Sequence, residues 1–120
     1  MENAVREKSF NFSIRIVKLY QYLCNEKKEF VLAKQLLRSG TSIGANLEEA
    51  LQAQSKKDFL NKVSISLKEA NETLYWIRLL SATDFLDNKQ SESIIADNKE
   101  IIALLAATVK TTKVNLEKNK

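Results

Sequence analysis

Histidine and proline are both absent from the 120 residues, and only two glycines (Gly40 and Gly44) and one cysteine (Cys24) occur. Each shortage excludes something. Without histidine the chain lacks the commonest general base, the usual catalytic zinc ligand, the Glu-x-x-His pair of di-iron bundles and histidine ligation of haem. No cofactor or metal is expected. Turn-rich β folds draw on proline and glycine, so their scarcity points to a few long helices. A lone cysteine cannot close an intramolecular disulfide, which fits a reducing cytoplasm. No apolar run approaches the roughly 20 residues needed to cross a bilayer, and the opening MENAVREKSF has no signal-peptide core. A cytoplasmic protein with no membrane partner is expected.

What is present is ordinary for a globular protein: 44% hydrophobic and 28% charged residues, in a length suited to one domain over residues 1–120. Four helical segments follow from periodicity. The first covers roughly 8–24, with Phe12, Ile16, Leu19 and Leu23 on one face, and ends in the polar run Asn25–Glu29. The second runs from about 31 to 53, with Leu32, Leu36, Ile43, Leu47 and Ala50 in one stripe. Gly40 interrupts that stripe, either loosening the helix or admitting a close backbone. Ser55-Lys56-Lys57-Asp58 reads as a capping box opening the third helix, whose apolar positions are Leu60, Val63, Leu67, Ala70, Leu74 and Ile77. Asp87-Asn88-Lys89-Gln90 offers a second such cap. Beyond it Ile95, Ile102, Val109 and Leu116 recur every seven residues, with Ile94, Ile101 and Leu105 widening the apolar face. Short connections make neighbours antiparallel, so the expected fold is an all-α, up-down-up-down four-helix bundle. The apolar faces of helices three and four look wider than one seam requires, and self-association is the simplest use for the excess.

The unusual segment is Lys34–Ala50. Gln35, Ser39, Ser42, Asn46 and Glu49 form a polar stripe beside the apolar one. With a turn near residue 55, antiparallel partners sum to about 110, so Arg38 faces Glu72 with Glu69 nearby, Ser42 faces Lys68 and Asn46 faces Ser64. Buried polar groups of this kind commonly fix helix register and subunit pairing; a ligand or nucleic-acid groove is the sharper alternative. Tyr20, Tyr22, Tyr75 and Trp76 read as core or interface anchors, with one of Tyr75 and Trp76 facing the bundle and the other a neighbouring subunit.

RSGTSIGANLEEA, then SKKDF, then LKEANETLYWIRLL resemble the four-helix-bundle family encoded in intervening sequences of bacterial 23S ribosomal RNA genes. The resemblance covers almost the whole chain and is densest from Lys34 to Leu80. It implies an antiparallel bundle assembled into a homopentameric ring with a poorly defined role. A related branch, the accessory proteins of diversity-generating retroelements, implies binding of RNA or DNA beside a reverse transcriptase. Arg38, Ser39, Ser42, Asn46, Glu49, Glu69 and Glu72 match recurrent polar positions of the family, without a catalytic role. Ala50 stands where many members have glycine.

Net charge is +4, and its placement matters more than its size. In an up-down bundle one end gathers Arg6, Lys8, Lys56, Lys57, Lys62, Lys110, Lys113, Lys118 and Lys120 against six acidic residues. A ring would repeat that excess on one face, giving loose, salt-sensitive nucleic-acid binding. The bland alternative is that lysines at helix ends aid solubility and complement the helix dipole. No base-reading motif or stacking platform accompanies them.

The reading is a non-enzymatic homo-oligomeric scaffold or adaptor that binds nucleic acid without sequence preference. A purely structural or protein-interaction ring is the alternative. A metal-dependent nucleotide pyrophosphohydrolase is a remote one, resting on Glu48-Glu49 and Glu69-x-x-Glu72; the register separates Glu49 from Glu72 by about 16 Å, too far to share one ion. Cys24 has no activating partner and reads as a packing residue.

Overall fold

The computed structural model describes residues 2–118, and their side chains from Ala4 onward. Four helices follow one another: α1 Glu2–Asn25, α2 Val31–Leu51, α3 Lys56–Ala82 and α4 Asn88–Lys118. They stand side by side in a body of 53 × 22 × 21 Å. Cross-helix contacts give the topology. Ser66 Oγ donates to the Ile43 carbonyl and Thr73 Oγ1 to Ser39 Oγ. Asn98 Nδ2 donates to the Ala70 carbonyl, and Arg15 reaches Asp97. Partner numbers rise along one helix as they fall along the next, so every adjacent pair is antiparallel. α2 with α3, α3 with α4 and α1 with α2 pack extensively, while α1 and α4 touch least.

Helix ends are set by local chemistry. α1 begins at Glu2 rather than residue 8, because Val5 and Ser9 continue its buried face toward the N-terminus. A serine in that stripe hides the periodicity from a purely apolar reading. α2 ends at Leu51, where the Gln52 and Ala53 amides turn back onto the Glu49 and Ala50 carbonyls. Its start is capped by Glu29, whose carboxylate accepts the Leu32 and Ala33 amides; the polar run that ends α1 thus also opens α2. At α3, Ser55 Oγ accepts the Asp58 amide at 3.0 Å. Asp87 and Gln90 form a reciprocal box, with Gln90 N–H donating to Asp87 Oδ1 at 2.7 Å and Asp87 N–H to Gln90 Oε1 at 3.0 Å. α3 closes in a Schellman turn: Phe85 N–H bonds the Leu80 carbonyl and Asp84 N–H that of Ser81, with Asp84 at φ 68°.

The core is one cluster, including Phe12, Ile16, Leu23, Leu36, Ile43, Leu47, Val63, Ile77, Ile101 and Leu105. On α3 the buried line is Val63, Ser66, Ala70, Thr73, Ile77, Leu80, and on α4 it is Ser91, Ile94, Asn98, Ile101, Leu105. Leu60, Leu67 and Leu74 on α3, and Ile95, Ile102 and Val109 on α4, are half-buried shoulders beside those lines. Apolar spacing on α3 and α4 therefore picks out both the apolar part of the buried line, Val63, Ala70, Ile77, Ile94, Ile101 and Leu105, and its half-buried shoulder. Of the wide apolar faces expected on α3 and α4, Leu67, Ile95, Ile102 and Val109 pack against the core, while Tyr75 and Val114 stay exposed. The outward apolar face lies on α1, where Phe10, Ile14 and Val17 are 65%, 41% and 39% exposed.

Gly40 shows why α1 and α2 come close. A Cβ there would lie 2.7–3.0 Å from the side-chain carbons of Ile16, itself fully buried. Close backbone approach, not loosening, is its role.

Candidate nucleic-acid interface

Electrostatics divide the nine basic residues of the lysine-rich end. Arg6 Nε donates to Glu48 at 2.7 Å, Lys62 Nζ to Glu49 at 2.9 Å, and Lys8 pairs with Glu100. In each pair the hydrogen bond to the carboxylate raises the base's pKa. These three charges are already answered within the bundle. Lys56, Lys57, Lys110, Lys113 and Lys118 are exposed and form no ion pair among the described residues. Lys120 lies outside the described residues.

Placement of those five follows from register. Asn98 beside Ala70 sets the height of α4 against α3. Stepping along both helices brings Thr112 level with Lys56, the first residue of α3. At 100° per residue, Lys110 and Lys113 fall on the α4 flank toward α3 and Lys56 on the α3 flank toward α4, while Lys57, a hundred degrees on, faces outward beside it. Four lysines thus share one corner, with Lys118 farther along α4. Asp58 and Glu117 are the nearby acids in sequence.

Next to this corner the α4 side toward α1 is partly uncovered. An open groove of about 480 Å³ is lined by Ala4, Val5, Phe59, Leu104 and Ala107 with threonines of α4. Thr108 and Thr112 donate their hydroxyls back to the Leu104 and Thr108 carbonyls, so they offer no donor to a ligand.

The polar stripe of α2 does not act as one unit. Ser39 is buried and bonded to Thr73, Gln35 is exposed, and Ser42 and Asn46 donate within α2, to the Arg38 and Ser42 carbonyls, rather than across to Lys68 and Ser64. Glu49 is held by Lys62. Arg38 does reach across, to Glu69 at 3.2 Å and to Glu72. Glu72 also accepts the Trp76 Nε1–H at 3.0 Å. That bond, with Arg38 and Lys68 assisting against partial burial, holds the Glu72 carboxyl below its ordinary pKa. Trp76 is half-buried against the core, while Tyr75 stands 55% exposed with its ring edge-on to Trp76.

Two features carried no sequence signal. One is the buried polar layer beyond Ser39 of the α2 stripe, namely Ser66, Thr73 and Asn98, each like Ser39 at 0% exposure; Asn98 Oδ1 has no hydrogen-bond partner among the described residues. The other is the outward stripe of α1, which sits opposite the core periodicity that reveals the helix. Among the described residues no group of three or more Cys, Asp or Glu side chains is arranged to hold a metal ion, and no helix is long and apolar enough to cross a membrane.

Residues 1–107 match the 23S rRNA-intervening sequence protein family. The chain belongs to that family. Among solved structures it is similar to a protein of unknown function from the S23 ribosomal protein family of Bacteroides thetaiotaomicron VPI-5482, at 57% identity and a TM-score of 0.88. The match covers 89% of this chain and 99% of that one. No curated protein matches. Membership accounts for the bundle and for the density of motif between Lys34 and Leu80, and brings no catalytic assignment with it.

Proposed function

We propose that the protein is a non-catalytic, self-associating cytoplasmic adaptor that holds the phosphate backbone of nucleic acid at its lysine corner. The observation that carries this is the sorting of charge. Arg6, Lys8 and Lys62 are consumed by carboxylates, whereas Lys56, Lys57, Lys110, Lys113 and Lys118 are left together and exposed. One subunit with five such charges is a poor phosphate binder, and repetition around an assembly of identical copies, five by family resemblance, pools them.

Assembly has its own support in α1. Phe10, Ile14 and Val17 follow each other at four- and three-residue spacing on the outer face. Covering their exposed fractions is worth about 2–4 kcal/mol, against about 4–15 kcal/mol for the lost freedom of association. The stripe is therefore an anchor that needs further contact. Exposed Tyr75, Phe30 and Val31 are available to supply it. A reverse transcriptase as partner protein follows from the related branch alone.

A mobility-shift titration of duplex RNA or DNA between about 50 and 200 mM salt tests the phosphate reading. Micromolar binding that weakens steeply with salt is expected. Absence of any shift at the lowest salt removes it, and leaves the purely structural ring.

A further inference from the structure

We infer that backbone binding is a property this chain adds to the family bundle through residues 108–118 of α4, which contact duplex phosphates together with Lys56 and Lys57 of α3. The inference rests on the phosphate reading above and says where, and to what, the contact is made.

Three observations converge on that segment. The family match stops at residue 107, and the solved relative is covered over 99% of its own length while 89% of this chain is used. α4 nevertheless continues as unbroken helix to Lys118. That continuation is about three further turns, or roughly 16 Å. Its basic residues are Lys110, Lys113 and Lys118, three of the five lysines at this end that form no ion pair among the described residues, against a single acid, Glu117.

The added helix is seated rather than loose. Val109, Thr112 and Leu116 are half-buried on its inner side, and residues 108–112 run beside the first turn of α3. Residues 113–118 continue past the level of the start of α3, and all of them except half-buried Leu116 are exposed. The threonine hydroxyls at 108 and 112 are spent within the helix, and the charged donors that this segment presents are the lysine ammonium groups.

Point charges spread along a rigid helix suit a regular phosphate array. No exposed aromatic ring stands at this corner for bases to stack on: Phe30 and Tyr75 lie at the opposite end of the bundle, by the start of α2 and the end of α3, and Phe10 lies on the α1–α2 side beside Arg6 and Glu48. The partner is therefore the backbone of a duplex, read without sequence.

The test compares full-length wild type with K110Q/K113Q/K118Q and with K27Q/K34Q/K89Q, which removes equal charge at the other end. Helicity and assembly size are checked by circular dichroism and sedimentation. The first variant is expected to bind duplex at least tenfold more weakly near 100 mM salt, with a log–log salt slope shallower by up to about 0.9 per lysine in contact. The second is expected to stay within about threefold of wild type. Equal weakening of both variants, wild-type binding by the first, or tighter binding to unstructured single strands than to duplex overturns the inference while leaving wild-type binding intact. Failure of wild type to bind any nucleic acid overturns the phosphate reading and this inference with it.

Discussion

At residue 40 a single hydrogen sets the distance between two helices. The Cβ that alanine would bring meets Ile16 at 2.7 Å, and Ile16 is enclosed by the core and cannot step aside. At Gly44 the nearest atom is Ser13 Oγ at 3.3 Å, a rotatable hydroxyl. Helix propensity favours alanine at both positions by about 1 kcal/mol. Overpacking outweighs that at residue 40. Gly40→Ala is expected to destabilise by about 1–3 kcal/mol, and Gly44→Ala to change stability by less than about 1 kcal/mol, in urea unfolding of each variant. Equal effects would show that the α1–α2 approach is not governed by Ile16. Sequence alone left Gly40 open between loosening and close approach, because the spacing within α2 says nothing about which side chain of α1 lies opposite.

At the scale of the element, periodicity located all four helices and the buried faces of α1 and α2, while on α3 and α4 it mixed buried positions with half-buried neighbours. Ser66 and Thr73 on α3, and Ser91 and Asn98 on α4, are buried where a hydrophobic pattern expects leucine. The half-buried Leu60, Leu67, Leu74, Ile95 and Ile102 drew the reading aside. Antiparallel register was legible: the rule that partners sum to about 110 places Arg38 beside Glu72, and the ion pair is there. Side-chain choices within a helix were not, so Ser42 and Asn46 bond inside α2. The end of α3 carries a prediction of its own. Asp84 occupies a left-handed backbone position and sets a negative charge at a helix C-terminus, both unfavourable. Asp84→Gly relieves both and is expected to stabilise by about 1 kcal/mol, less the flexibility glycine adds to the unfolded chain. A thermal midpoint raised by a few degrees is the expected readout; a lowered one would mean that the Asp84 side chain supports the turn.

For the whole molecule, the lysine corner and the α1 stripe point the same way. At the lysine-rich end three bases are paired across helices and five lysines, where α3 begins and α4 runs out, are not, while apolar area is left uncovered along the outside of α1. The candidate site was legible as a basic end, since helix order alone brings those lysines together. Which of them are free was not, because Glu48, Glu49 and Glu100 are reached through tertiary packing.

Pooling of positive potential stands or falls with assembly, and sedimentation velocity of the full chain at tens of micromolar tests it most directly. Wild type is expected to run as a species several times heavier than 13.7 kDa, and Ile14→Lys, which sets a charge at the middle of the stripe, to shift it toward the monomer with helicity unchanged. A wild-type chain that sediments as a single 13.7 kDa species would contradict the account.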